Sequence, residues 1–275
     1  EAVDLVVDLL ATVKAGLART GRPIASLLFV GPTGVGKPEM SKALAEHLYG
    51  DPARMVRFDM TEYADPFAVE RLVGGAGREE GLLTNRVREQ PFGVVLFDEF
   101  EKAHPLFLDL LLQALGDGRL TDASGRVASF QNAVVILTSN LGAETFRRGR
   151  VGFFADARAQ AEAREHFLHE VKDAVRPELF NRIDRVVPFL PLDEETCVRV
   201  VRRELDKIAR RDGVLHRKVA LSVSTDVAAD LSRRGFDARY GARPLKRAIE
   251  RELLAPLADE LNGYSGEIPL SAEVS

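Results

Sequence analysis

The sequence predicts an α/β fold: a parallel five-stranded sheet flanked by helices, followed by a small, mostly helical (α+β) lid. Three observations carry that expectation. Short apolar runs alternate with helical stretches, the pattern of strands covered on both faces. A glycine-rich turn, Gly31 to Lys37, joins the first run to a helix. Two carboxylates, Asp98 and Glu99, close the third run.

The elements follow in order. Val3, Val6, Val7, Leu10, Val13 and Leu17 fall on one face of a helix over residues 1–19, which Gly21-Arg22-Pro23 ends. Strands are predicted over 26–30, 55–60, 93–97, 133–138 and 185–190, with helices over 37–48, 82–89, 105–115 and about 157–175 between them. Behind Pro188 and Pro191 the pattern changes. Asp193 caps a helix to about Arg211, followed by a strand over 219–223, helices over 226–234 and 243–261, and a last strand over 268–274. Residues 1–188 therefore read as a large domain and 189–275 as the small one.

Composition bounds the function. A hydrophobic share of 45% and a charged share of 29% are those of an ordinary globular chain. A net charge of −4 provides no basic field for nucleic acid, so no nucleic-acid partner is expected. No apolar run approaches the roughly 20 residues of a membrane helix, so no membrane partner is expected either. Cys197 is the single cysteine, which leaves no internal disulfide or cysteine zinc site and fits a reducing cytoplasm. The chain begins at Glu1 without an initiator Met and reads as a piece of something longer.

Gly31-Pro32-Thr33-Gly34-Val35-Gly36-Lys37 stands between a strand and a helix, where backbone N–H groups and the helix N-terminus converge on phosphate oxygens. Lys37 is placed to neutralise β- and γ-phosphates. The next residue should carry a hydroxyl for Mg²⁺, but it is Pro38, which has neither hydroxyl nor N–H. Proline suits the first turn of a helix, so the fold survives while metal affinity falls, turnover falls, or both. Asp98 would hold Mg²⁺ through water, and Glu99 would polarise the attacking water. Asn140 ends the next strand on the same edge, to orient that water or touch the γ-phosphate. Arg182 and Arg243 are the candidate phosphate-sensing arginines.

The stretch VVLFDEFEKAHPLFLDLLLQALGDGRLTD, from Val94 to Asp122, resembles the second AAA+ module of the Clp unfoldases and disaggregases. RPIASLLFVGPTGVGK, VRFDMTEYAD, NAVVILTSNLG, RPELFNRID and YGARPLKRAIE extend the likeness in family order over nearly the whole chain. It implies a P-loop NTPase fold with Gly31 to Lys37 as Walker A, Asp98 and Glu99 as Walker B, and Asn140 as first sensor. Arg182 would be a finger acting on a neighbour's nucleotide, and Arg243 a second sensor on the lid. It further implies ATP and ADP as ligands, a hexameric ring of copies, and protein substrates or adaptors threaded by an ATP cycle.

Pro38 departs from the family pattern. So does the segment after Leu72, Val73-Gly74-Gly75-Ala76-Gly77-Arg78-Glu79-Glu80-Gly81, which is several residues short and lacks the aromatic that grips polypeptide. The family's adenine contact, of the type Val-Ile-Gly-Gln, would stand ahead of residue 1. Two functions are thus expected: an ATP-hydrolysing chaperone module impaired at Pro38, or a nucleotide-binding scaffold without useful turnover.

Overall fold

The computed structural model describes residues 2–16, 20–75, 80–149, 157–215, 220–235, 237, 241–263 and 271–274. The chain divides into two compact units, one built mainly from residues up to Leu190 and the other from Pro191 onward together with Pro32–Val35.

In the first unit α1 (Ala2–Lys14) leads into β1 (Ala25–Val30), then α2 (Lys37–Tyr49) and β2 (Met55–Asp59). Next come α3 (Pro66–Val73), α4 (Leu82–Glu89), β3 (Gly93–Asp98) and α5 (Pro105–Asp117). A hairpin of β4 (Arg119–Thr121) and β5 (Val127–Ser129) precedes β6 (Ala133–Ser139), α6 (Ala143–Gly149), α7 (Ala157–Ala174), α8 (Pro177–Phe180) and β7 (Arg185–Pro188). The five long strands form one parallel sheet in the order β2-β3-β6-β1-β7. Every residue of β1, β3 and β6 is buried, which is why these strands read as unbroken apolar runs rather than alternating ones. Phe97 stacks on Phe58 of the edge strand at 5.8 Å and meets Phe107 of α5 at 5.1 Å, tying that helix to the sheet.

The expected sheet is present, and α3, the β4–β5 hairpin, α6 and α8 are added to the predicted elements. Asp65 accepts the Ala68 N–H and caps α3, with Pro66 in its first turn, a start signal too brief to register beside so short a helix. The β4–β5 hairpin has three-residue strands with one buried side chain each, too little pattern to read. Its turn is organised by Asp122. That carboxylate, 1% exposed, accepts from the backbone of Ser124 and Arg126 at 2.9 Å and from the guanidinium groups of Arg88 and Arg126. The predicted apolar face of α1 is only partly covered: Val6 is buried, but Val3 and Val7 are exposed beside an open groove against α2.

The second unit runs through α9 (Glu194–Ala209), α10 (Asp212–Leu215), β8 (Ala220–Val223), α11 (Thr225–Gly235), α12 (Arg243–Ile249), α13 (Ala255–Asn262) and β9 (Ser271–Val274). Asp193 caps α9 as expected, accepting from the Thr196 N–H at 2.7 Å. Val201, Leu205, Ala228, Leu231, Leu245 and Ile249 form its core, and β8 pairs with β9 in parallel. The single helix predicted over 243–261 is interrupted by a π turn at Glu250–Leu254. Pro256 explains it. Proline lacks the N–H that would bond the Glu252 carbonyl, and the wider turn instead sends the Ala255 N–H to the Glu250 carbonyl.

Burial pushes the Asp122 carboxyl upward, but the Arg126 and Ser124 N–H groups and the two arginines outweigh it and hold it below the usual carboxylate range. A depressed folded value stabilises the fold above the unfolded value of about 4 and loses that contribution as pH falls through the folded value. Asp122→Asn should therefore lower the urea midpoint at pH 7 and make its decline towards pH 3 shallower than in the parent, read by circular dichroism.

Candidate functional site

The site is built on the carboxyl edge of the parallel sheet, where open α/β folds bind ligands. Gly31 leaves β1 with φ 147°, and a Cβ there would lie 2.1 Å from the Phe189 carbonyl, so only glycine lets the two backbones pass. Gly36, at φ 99°, turns the chain into α2. Pro38 sits in the first turn of that helix without disturbing it: the Met40 N–H still reaches the Gly36 carbonyl at 3.0 Å. Pro32, Thr33, Gly34 and Val35, the tip of the loop, group with the second unit. There the Ala242 N–H donates to the Gly34 carbonyl at 3.1 Å, one residue ahead of Arg243 at the start of α12.

Lys37 is 5% exposed, and a buried ammonium requires partners. Its Nζ donates to the Gly31 carbonyl and, at 2.8 Å, to Asn140 Oδ1. Asn140 in turn donates from Nδ2 to Glu99 Oε1 at 3.1 Å, and from its backbone N–H to Glu101 Oε1 at 3.1 Å. Asn140 thus couples the lysine of the phosphate loop to the candidate base. Parallel pairing of β6 with both β1 and β3 makes this possible, because it ends the three strands at one level.

Glu99 has φ 54° and ψ 50°, and it is the non-glycine residue with positive φ among the described residues. Such a conformation persists only where the surroundings hold it. Thr138 supplies the hold. Its Oγ1 accepts the Glu99 N–H at 3.0 Å and donates to Asp98 Oδ1. Asp98 is 5% exposed, and its other oxygen accepts Nη2 of Arg57 at 2.6 Å.

Of the residues expected from sequence, Gly31, Lys37, Asp98, Glu99 and Asn140 come together. Arg182 does not join them by any hydrogen bond or ion pair among the described residues. Its guanidinium lies over α5, where Gly116 leaves room: a Cβ on Gly116 would be 1.3 Å from Nη1. Its carbonyl accepts the Ser26 hydroxyl at 2.7 Å. Arg243 belongs to the other unit. Three residues were missed: Arg57, Thr138 and Glu101. Thr138 follows directly on the Phe97–Leu137 register pair, so the strand alignment would have found it. Arg57 and Glu101 lie within stretches that carry the family likeness, but nothing in those stretches marks either one as a site residue.

Residues 22–186 match the model of the AAA domain (Cdc48 subfamily), and residues 192–273 match the C-terminal, D2-small domain, of ClpB protein. The chain belongs to the AAA+ family and is a ClpB-type module. It is 42% identical to chaperone protein ClpB of Aquifex aeolicus over 97% of its own length and 27% of that protein's. It is also 42% identical to probable chaperone protein ClpB 1 of Chlorobaculum tepidum, covering 97% of this chain and 62% of that one. The Saccharomyces cerevisiae Hsp104–ADP complex superposes with a TM-score of 0.86 at 33% identity, over all of this chain and 47% of the other. The ClpB-type module therefore spans less than two thirds of the length of these relatives. Residues 76–79 of the shortened segment 73–81, where a gripping aromatic was expected to be missing, lie outside the described residues, as do 1, 17–19, 219 and 268–270 of the predicted elements. Among the described residues no helix is long and apolar enough to cross a membrane.

Two variants probe this geometry. Thr138→Val leaves the Glu99 N–H and one Asp98 oxygen without their shared hydroxyl and should cost about 1–3 kcal/mol in a urea titration. Gly116→Ala should swing the Arg182 guanidinium off α5 while the helix backbone stays in place, visible in a crystal structure of the variant.

Proposed function

We propose that this module binds ATP and ADP at Gly31–Lys37 and Pro38, and hydrolyses ATP slowly as one subunit of a ring of copies. The observation that carries the reading is the chain of hydrogen bonds from Lys37 through Asn140 to Glu99. It joins a phosphate-neutralising group to a candidate base through an amide that can orient water between them. Water would attack the γ-phosphorus, giving its proton to Glu99 as the β–γ bridging bond breaks and ADP leaves. Lys37 would follow the phosphate charge. Arg182 would serve a neighbouring copy's nucleotide, and Arg243 would close on the γ-phosphate from the small domain of residues 189–275. The names of the relatives support a chaperone role; the proposal extends it to a protein-remodelling ring in the cytoplasm that acts on protein substrates or through adaptors.

The second reading is a nucleotide-binding scaffold that assembles without useful hydrolysis. Pro38 favours it, since the residue after Lys37 can offer no side-chain hydroxyl. Intact Asp98, Glu99, Asn140, Arg182 and Arg243 favour the first.

ATP turnover of the parent and of Pro38→Thr at rising protein concentration separates the two. The variant should hydrolyse ATP at least tenfold faster than the parent, with a rate per subunit that climbs with concentration because the finger comes from a neighbour. Neither protein turning over, although both bind nucleotide and assemble, would favour the scaffold and remove the support for Glu99 as base.

A further inference from the structure

In this fold family Mg²⁺ is expected between the phosphate loop and Asp98, and the donor set here does not fit it. Mg²⁺ requires near-octahedral oxygen ligation and is usually held by one or two carboxylates beside the substrate's phosphates. The position after Lys37 supplies no side-chain oxygen because it is Pro38. Both Asp98 oxygens are engaged, Oδ1 by the Thr138 hydroxyl and Oδ2 by Arg57. Glu99, the adjacent carboxylate, already accepts from Asn140.

We infer that Arg57 supplies the cation at this site, so that nucleotide is held without a divalent metal. The inference rests on the nucleotide-binding reading above and specifies the chemistry by which that site neutralises phosphate. Its basis is the sheet register. The edge strand β2 pairs in parallel with β3, matching Asp59 to Asp98 and Arg57 to Leu96. Successive side chains alternate between faces, so Arg57 shares a face with Asp59 and stands diagonally across from Asp98. From there the guanidinium approaches Asp98 at 2.6 Å and Asp59 at 3.9 Å. A dication arriving at Asp98 would face a fixed positive charge and would have to displace it.

Arg57 has the chemistry for the role. Guanidinium carries five N–H donors in a planar fork and stays charged at any working pH. Nη2 donates to Asp98 and lies 3.9 Å from Asp59, and the side chain is 46% exposed, so the guanidinium has further donors to offer a phosphate. Lys37 and Arg57 are then the two cations that the inference assigns to the phosphates. The Asp98–Arg57 pair also removes the repulsion that an uncompensated Asp98 would exert on a polyphosphate. The cost falls on turnover rather than on binding: a fixed guanidinium does not polarise the γ-phosphate as a metal does, which accords with slow hydrolysis.

The test is binding of a fluorescent N-methylanthraniloyl ADP to the full 275-residue chain, with excess Mg²⁺ or with EDTA. Thermal melts serve as a check that each variant folds. The parent should show dissociation constants within about twofold of each other in the two conditions. Arg57→Gln should bind about tenfold more weakly than the parent in EDTA, whereas Arg57→Lys should keep most of the affinity. The double variant Pro38→Thr/Arg57→Gln restores the hydroxyl and frees Asp98, and should bind at least tenfold more tightly with Mg²⁺ than with EDTA. A parent that loses tenfold or more in EDTA overturns the inference while leaving the nucleotide site standing. The same holds for a folded Arg57→Gln that binds as tightly as the parent in EDTA. A folded parent that binds no nucleotide in either condition overturns the site itself.

Discussion

A buried ammonium must be paired, and the arrangement of the site follows from how Lys37 is paired. The residue lies at the start of α2, 5% exposed, with its charge directed into the loop that precedes it. One acceptor is local, the Gly31 carbonyl. The other, Asn140, is 103 residues away in sequence and arrives only because β6 lies beside β1 in parallel. Once Asn140 accepts from Lys37, its amide nitrogen points to Glu99, and the candidate base is held at a defined distance from the phosphate loop. A buried polar chain of this kind is stable only when each member is satisfied. That requirement links the three strands that contribute to it.

The same logic governs the turn after β3. Glu99 adopts a left-handed backbone that costs of order 1–3 kcal/mol for a residue with a side chain. Thr138 offsets that cost by accepting the Glu99 N–H while donating to Asp98. The strain has a consequence, because it turns the glutamate side chain towards Asn140 instead of continuing the strand. Backbone geometry and acid placement are therefore one feature.

Pro38 separates what the fold requires from what the chemistry requires. At the first turn of a helix the missing N–H has no intrahelical carbonyl to lose, so α2 forms normally. What is lost is the side-chain hydroxyl that the family pattern leads one to expect after Lys37. Arg57, on the edge strand, donates to Asp98 and is the cation that the inference above assigns to this site. Gly116 shows a comparable dependence in α5, where its missing side chain makes the space that the Arg182 guanidinium fills.

Much of this molecule was legible in its sequence. The strands of the main sheet are apolar runs because they are covered on both faces, and burial of that kind is written into residue type. The turn from Gly31 to Lys37 and the two carboxylates at the end of β3 were legible as positions for a similar reason: each comes directly at the end of an apolar strand in the chain. Asp193 announced its helix by local hydrogen bonding, and Pro256, read with more care, would have announced the π turn. Tertiary structure alone decided the rest. Thr138 and Arg57 act across strands, and whether two side chains meet across a sheet is set by register, which no local pattern encodes. The Lys37–Asn140–Glu99 connection was visible as three candidates but not as one chain of hydrogen bonds. Sequence determined which groups exist and on which edge they emerge. The pairing of β2, β3, β6 and β1 decided which of them touch, because hydrogen bonds between side chains form only where the backbone brings their atoms to about 3 Å.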